Sequence, residues 1–162
     1  MKTGVVKEFK DDYAFLSNFY QADFMWRNQV WPSAEHAFQA AKGYCLENSY
    51  LKDIVKHEEA CRTAADPGKA KAIGRKVNLD VDNWNMRRVS YMREIVHAKF
   101  TNNLSDFDMV GSLINTGAAM LVEGNDWDDR FWGRCNGRGL NILGAILMEE
   151  RGYWLKGDFN EG

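Results

Sequence analysis

Three polar side chains that can do chemistry follow one another at helical spacing in the first third of the chain. Glu35, Gln39 and Lys42 are separated by four and three residues, which places them on one face of a helix. A carboxyl group can transfer a proton, and a lysine amine can act as a nucleophile or hold an anion. The adjoining stripe of small residues favours close packing, so this polar face can line a cleft. A solvent-exposed helix face, with Glu35 in the first turn, is the alternative interpretation.

Histidines and cysteines do not occur at the spacings that metal sites require. His36, His57 and His97 are isolated from one another, and neither a Cys-x-x-Cys nor a His-x-x-x-His pair is present. The three cysteines are an odd number at wide spacing, which excludes a disulfide scaffold and is typical of a reducing cytoplasm. The sequence therefore predicts no metal and no cofactor.

Length and composition predict one globular domain over residues 1–162. The formal net charge is −2, so no basic excess supports general nucleic-acid binding. Charged residues make up 27% and hydrophobic residues 45% of the chain, which disfavours disorder. The longest apolar run, 142–148, is too short to span a membrane, and the first residues lack a secretory apolar segment. These observations predict a cytoplasmic protein without a membrane partner or an obligate protein partner.

The elements that must position the polar face are mostly helices. A hairpin is predicted around Arg27-Asn28-Gln29, and Ser33 is the predicted N-cap of the helix that holds Glu35 and Lys42. Further helices are predicted from Asn48 or Ser49 to Glu59, and over 66–76, 82–102 and 141–151. A polar loop is predicted over 125–140, after a short strand over 119–123. This mixture predicts an α+β fold that is mostly helical, with short strands.

Several motifs, in order along most of the chain, resemble one family. They are Phe15-Leu16-Ser17-Asn18-Phe19, the segment from Trp31 to Lys42, Gly74-Arg75 with Trp84 and Met92, Thr116-Gly117, Leu121-Val122-Glu123, Asp129-x-x-Trp132-Gly133, and Gly139-x-Asn141-x-Leu143-Gly144. This pattern is similar to that of the NADAR, or YbiA-like, family. The resemblance implies the YbiA-like α+β fold and an N-glycosidase activity that hydrolyses the bond between ribose C1′ and an exocyclic amino nitrogen.

Two substrate classes and a set of catalytic residues follow from the resemblance. The substrates are the ribosylaminopyrimidine phosphates of riboflavin synthesis and ADP-ribose attached to the amino group of guanine, including guanine in nucleic acid. The hallmark residues fall on Glu35 and Lys42, and the loop aspartate falls on Asp129. A module that binds ADP-ribose or a nucleotide without turnover is the alternative function.

Residues in the matched motifs are also candidates for binding a nucleotide-like substrate. Aromatic rings can stack on a flat base, arginines can hold phosphate, and asparagines can hydrogen-bond ribose hydroxyls. Each of these side chains also has a purely structural alternative, as a core ring, a surface arginine or a helix cap. The candidates are Asn18, Phe19, Arg75, Trp84, Trp132, Gly133 and Asn141.

The residues leave the mechanism open between two routes. Lys42 can attack C1′ of the ring-opened sugar and displace the base amine through a Schiff base. Alternatively, Glu35 or Asp129 can activate water while an oxocarbenium-like sugar is stabilised. One departure from the family pattern, Arg134-Cys135-Asn136 after Gly133, puts the preference for leaving group or phosphate in doubt, because Arg134 and Arg138 can add phosphate contacts or can simply be solvated.

Overall fold

The computed structural model describes residues 4–157, and the chain divides into two compact units. Unit 2 is Asn18–Ser105, and unit 1 combines the residues up to 17 with those from 106 onward. The fold is α+β and mostly helical with short strands, as predicted. In chain order the elements are β1 (Val5–Val6), a 3-10 helix (Asp11–Leu16), β2 (Phe24–Trp26), β3 (Gln29–Trp31), α1 (Ala34–Ala41), a 3-10 helix (Lys42–Cys45), α2 (Leu51–Arg62), α3 (Pro67–Gly74), α4 (Val81–Thr101), α5 (Met109–Ile114), β4 (Met120–Leu121), β5 (Gly124–Asn125), β6 (Arg134–Cys135) and α6 (Ile142–Lys156).

Helix α1 is the central element of unit 2. Ser33 caps its N-terminus, as predicted, by accepting a hydrogen bond from the backbone N–H of His36. All eight residues of the helix are buried, because α2, α3 and α4 all pack against it. The burial of the polar face that contains Glu35 excludes a solvent-exposed helix face. Small side chains at four of the eight positions let the surrounding helices approach closely.

The other elements of unit 2 show where local sequence signals suffice. Strands β2 and β3 pair antiparallel around the turn Arg27-Asn28, where both residues have positive φ, so the predicted hairpin is confirmed. Asp66 caps α3, and Pro67 occupies its first position. Helix α2 begins at Leu51, later than predicted, since the left-handed φ of Asn48 (46°) interrupts the helix there.

In its described residues, unit 1 contains two short parallel strand pairs, one 3-10 helix and the α-helices α5 and α6. Strand β1 pairs with β4, and β5 pairs with β6. The segment 125–140, predicted as a loop, thus contains strand residues at Asn125 and at Arg134–Cys135. Helix α6 continues to Lys156, five residues beyond the predicted end. The core of this unit is formed by apolar side chains that include Phe15, Leu16, Met109, Leu113, Leu121, Leu143, Ile146 and Leu147.

Within residues 4–157, no helix combines the length and the apolar character needed to cross a membrane.

Candidate active site

A buried carboxyl group lies at the centre of unit 2. Glu35 is in the first turn of α1, and only 6% of the residue is exposed. The Nε2 atom of Gln39, one turn further along, donates a hydrogen bond of 2.7 Å to Glu35 Oε1. The backbone N–H of Glu35 donates to the carbonyl oxygen of Asn18 at 2.9 Å. Glu35 is therefore held in place by hydrogen bonds of both its backbone and its side chain.

Lys42 follows at the C-terminal end of the same helix and begins the 3-10 helix. Its Nζ atom lies 3.3 Å from the carbonyl oxygen of Gly74, the last residue of α3. The same nitrogen lies 6.0 Å from the centre of the Trp84 ring on α4. The ammonium group thus contacts one backbone acceptor and one aromatic ring in a half-buried position.

Burial shifts the protonation equilibria of both groups towards their neutral forms. It raises the pKa of Glu35, and the Gln39 hydrogen bond and the positive charges of Lys71, Lys42 and Arg75 oppose this only in part. Burial also lowers the pKa of Lys42, and the nearby Glu35 carboxylate opposes that shift. A carboxyl group that favours its acid form can donate a proton, and an amine that favours its neutral form can act as a nucleophile.

Two further cations face the site from α3. Lys71 and Arg75 lie one helical turn apart, and both charges act on Glu35 and Lys42. The Nζ atom of Lys71 lies 5.7 Å from the centre of the Phe19 ring, a residue that is 44% exposed. Two predicted binding residues, Phe19 and Arg75, therefore lie beside the pair formed by Glu35 and Lys42 in unit 2.

Helix α2 closes the other side of α1 with a buried histidine and a buried cysteine. His57 Nε2 lies 2.9 Å from the backbone oxygen of Gln39 and 3.5 Å from the sulfur of Cys61. Burial lowers the pKa of His57, so this imidazole favours the neutral form. Burial raises the pKa of Cys61 to about 12, which keeps the thiol protonated and unreactive.

The two remaining predicted residues of unit 2 have clear structural contacts. Asn18 supports α1 through its carbonyl oxygen, and its Nδ2 atom lies 3.5 Å from the sulfur of Met92. Trp84 is buried, with its ring centre 5.1 Å from that of Phe38 and 6.1 Å from that of Tyr91. Trp84 therefore belongs to the core and at the same time lies beside the Lys42 amine.

The loop aspartate belongs to unit 1, where its carboxylate organises the backbone. Asp129 Oδ1 accepts hydrogen bonds from the N–H groups of Phe131 (3.1 Å) and Trp132 (3.0 Å). The side chain of Asn125 in turn holds the backbone of Asp129 through hydrogen bonds of 2.8 and 3.1 Å. The Trp132 ring packs edge-on against Phe131, with ring centres 4.8 Å apart.

Gly133 and Asn141 fix the loop against the start of α6. A Cβ atom at Gly133 would lie 2.1 Å from the carbonyl oxygen of Glu123, so only glycine fits there. Asn141 has a left-handed φ of 58° and does not cap the helix with its side chain. Its amide instead accepts from the N–H of Glu123 at 3.0 Å and donates to the oxygen of Leu121 at 2.9 Å.

The segment that departs from the family pattern borders a cavity in unit 1. The cavity has a volume of about 570 Å³, and Arg134 and Asn136 are part of its lining. Its wall contains basic Lys7 and Lys10 but also acidic Glu8 and Asp126. Because Lys10 forms a 3.0 Å ion pair with Glu8, the surface is mixed in charge rather than basic. In the described part of the chain, no group of three or more His, Cys, Asp or Glu residues is arranged to hold a metal ion.

Three residues that contact or electrostatically influence the catalytic candidates are not among the predicted site residues. Gln39 is predicted only as a member of the polar face, and the sequence predicts no role for Lys71 or Gly74. The spacing of Lys71 and Arg75 on one helix face is a signal that could have identified Lys71. The contact between Gly74 and Lys42 joins elements 32 residues apart, which local spacing does not reveal.

Glu35 on α1, Lys42 directly after it and the loop of Asp129 all lie inside a segment that matches a known protein family. The NADAR domain model matches residues 6–153, nearly the whole chain. The chain belongs to the NADAR domain family. The predicted family resemblance is thereby confirmed.

Relatives of this NADAR chain have names of two kinds. It is 34% identical over 143 residues to the N-glycosidase YbiA of Shigella boydii, which covers 87% of this chain and 81% of that protein. It is also 34% identical over 143 residues to a riboflavin biosynthesis protein of Vibrio vulnificus; that match covers 87% of this chain but only 35% of the Vibrio protein.

A solved structure supports the fold of this NADAR chain. The NMR structure of the Escherichia coli protein YbiA matches 99% of the chain and 89% of that protein, with a TM-score of 0.77 and 29% sequence identity. The prediction of a YbiA-like α+β fold is therefore confirmed.

Proposed function

We propose that this protein is an N-glycosidase that hydrolyses the bond between ribose C1′ and an exocyclic amino nitrogen of a base. The observation that supports this most is the placement of two groups along α1: Glu35 is buried in its first turn, and Lys42 follows its last residue in a half-buried position. Burial raises the pKa of the carboxyl group and lowers the pKa of the amine. The N-glycosidase name of the YbiA relatives agrees with this reaction class. A module that only binds a nucleotide has no need for two groups shifted towards neutrality.

In the proposed mechanism, Lys42 is the nucleophile. The ring-opened form of a ribosylamine is an imine, and the neutral amine of Lys42 adds to its C1′ carbon. The new bond between Nζ and C1′ replaces the bond between C1′ and the base nitrogen, and the base leaves as a free amine. Water then hydrolyses the lysine imine, which releases the sugar and regenerates the amine. The lowered pKa of Lys42 supports this step because only the neutral amine has a free electron pair.

Glu35 is the proposed proton carrier of both half-reactions. As a carboxylic acid it donates a proton to the departing base nitrogen, and as a carboxylate it accepts a proton from the water that attacks the imine. Its raised pKa supports the protonated form at the start of the cycle. Asp129 remains the third predicted catalytic residue, and the role proposed for it is activation of water in the alternative route that forms no lysine adduct.

The proposed substrates are nucleotide-like molecules with phosphate groups. Lys71 and Arg75 give the site two cations, which suits a ribosyl phosphate or the diphosphate of ADP-ribose. Phe19, half-exposed beside Lys71, is suited to contact a base. Trp132, Gly133 and Asn141 remain predicted binding residues, and the protein is proposed to act without a metal or a cofactor in the cytoplasm.

Turnover of the two substrate classes, measured side by side, tests this function. A ribosylaminopyrimidine phosphate and guanosine ADP-ribosylated on its amino group are each incubated with the protein, and the products are identified by mass. We expect the free base amine and ribose phosphate or ADP-ribose, with the same rate after treatment with a chelator. Tight binding of either compound without any product would instead identify a binding module.

A further inference from the structure

The side chain of Gln39 connects the Glu35 carboxyl group with helix α3. The amide nitrogen of Gln39 donates to Glu35 at 2.7 Å, and the residue is only 4% exposed. The amide oxygen points at Gly74, where a Cβ atom would lie 1.8 Å from it. The backbone oxygen of Gln39 is held by His57 at 2.9 Å. Gln39 is thus fixed from α2 and α3 while its one donor group faces Glu35.

Only one of the two polar atoms of the Gln39 amide has a hydrogen-bond partner within the described residues. Its nitrogen has an acceptor, but its buried oxygen has no hydrogen-bond partner among residues 4–157. A buried acceptor without a partner is costly, so native proteins rarely retain one without a reason. The orientation that leaves the oxygen unpaired is the one that gives the Glu35 carboxylate a donor. The amide is therefore oriented so that Glu35 receives a hydrogen bond, although the amide oxygen is left without one.

The position of the Gln39 amide also explains why residue 74 is a glycine. Gly74 is the last residue of α3, and its φ lies outside the left-handed region, so no backbone conformation there demands glycine. Alanine would favour the helix more than glycine does. The added methyl group, however, would meet the Oε1, Cδ and Cβ atoms of Gln39 at 1.8, 2.7 and 3.1 Å. Glycine at this position thus preserves the space that the Gln39 amide occupies.

We propose that Gln39 is the positioning residue for the Glu35 carboxyl group, and that Gly74 keeps the room the amide needs to reach it. The inference rests on the proposed function, since it assigns a task to Gln39 in the proton transfers of Glu35. Gln39 takes no part in bond making or breaking at the sugar. It acts through Glu35 by holding one carboxylate oxygen in place.

The charged and titratable groups around Glu35 come from α2, from α3 and from the residue that follows α1. Lys42 follows α1 itself, Lys71 and Arg75 face the carboxyl group from α3, and α2 contributes His57 and Cys61. Helix α4 contributes the uncharged ring of Trp84 beside Lys42. Because the Gln39 hydrogen bond stabilises the ionised carboxylate, its removal raises the pH at which Glu35 titrates, whatever the other groups contribute.

An NMR titration of the Glu35 carboxyl carbon tests the proposal without any substrate. Protein labelled at the glutamate carboxyl carbons is titrated, and the Glu35 signal is assigned by its loss in Glu35→Gln. Gln39→Met has nearly the same length but donates no hydrogen bond, so we expect the Glu35 midpoint to rise by about one pH unit. The control Gln29→Met makes the same change at an exposed position of β3 and leaves the midpoint unchanged.

Gly74→Ala tests the hydrogen bond between Gln39 and Glu35 by removing the space for the Gln39 amide. It replaces Gln39→Met as the test if that variant fails to fold. The new methyl group displaces the amide, so the Glu35 midpoint rises in this variant as well. In the double variant Gln39→Met with Gly74→Ala, we expect no rise beyond that of Gln39→Met, because the amide is already absent. An unchanged midpoint in either single variant overturns the proposal.

The same variants separate this inference from the proposed function. In an active enzyme, the limb of the kcat profile that Glu35 controls moves to higher pH in Gln39→Met by the same amount, while KM changes little. If wild type turns over substrate but the NMR midpoint does not move, the positioning role is wrong and the glycosidase stands. If the midpoint moves but wild type releases no product from either substrate, the glycosidase is wrong and the contact between Gln39 and Glu35 stands.

Discussion

The amine nitrogen of Lys42 lies 3.3 Å from the carbonyl oxygen of Gly74, the last residue of α3. An ammonium group and a neutral amine can both donate this hydrogen bond, so it holds the nitrogen before and after deprotonation. In the neutral form, the electron pair points away from the carbonyl oxygen and is available for attack. The contact therefore orients the amine at no cost to its nucleophilicity.

Replacement of the Glu35 carboxyl group by an amide should abolish most of the activity. Glu35→Gln keeps the size of the side chain and an acceptor for Gln39, but it cannot transfer a proton. General acid–base groups contribute about 10²–10⁴-fold, and we expect turnover to fall by a factor in that range. The control Glu59→Gln makes the same change at an exposed position of α2 and should retain full turnover. Equal rates for both variants would remove Glu35 from the mechanism.

The same substitution should change how stability depends on pH. Burial raises the pKa of Glu35 above its usual value of 4.5, so the folded protein holds this proton more tightly than the unfolded chain does. The resulting contribution to stability is complete below pH 4.5 and is lost as the pH rises through the folded-state pKa. The Tm of Glu35→Gln minus the Tm of wild type should therefore increase as the pH rises from 4.5 through the folded-state pKa of Glu35. A difference that stays flat with pH would show that the carboxyl group does not titrate abnormally.

Local signals in the sequence predicted the scaffold of the site but not its contacts. The cap at Ser33, the hairpin turn at Arg27-Asn28 and the start of α3 at Asp66-Pro67 depend on neighbouring residues and were predicted correctly. The burial of Glu35 depends on three other helices packing around α1. A periodic pattern specifies which residues share a face, but it does not specify what covers that face.

The contact between Gln39 and Gly74 is a second feature that local sequence signals do not predict. Glycine near the end of a helix usually indicates a left-handed C-cap, which the φ of Gly74 does not support. Its reason is an amide 35 positions earlier in the chain, and no local rule connects the two. Likewise, Asn48 has a left-handed φ and α2 begins three residues later, which the helical pattern of the following residues does not indicate.

Two variants of Asp129 should separate its role in the loop from a role in catalysis. Asp129→Ala removes the acceptor for the N–H groups of Phe131 and Trp132, and we expect it to cost about 0.5–2 kcal/mol of stability, as loss of a helix cap does. Asp129→Asn keeps an acceptor oxygen and should keep its Tm, yet the predicted catalytic role requires turnover to fall about 10²-fold. Asp126→Asn, at an exposed position nearby in the sequence, is the control. Full turnover in Asp129→Asn would limit this carboxylate to its structural role.

The identity of the nucleophile distinguishes the covalent route from direct attack by water, and trapping of the sugar on Lys42 tests it most directly. Borohydride added during turnover reduces a lysine imine to a stable amine, and intact mass followed by peptide mapping locates the added sugar. We predict one sugar adduct on Lys42 in wild type and none in Lys42→Arg, which keeps the positive charge but is never neutral and should be almost inactive. An active Lys42→Arg protein, with no adduct trapped on wild type, would contradict the covalent mechanism and favour direct attack by water.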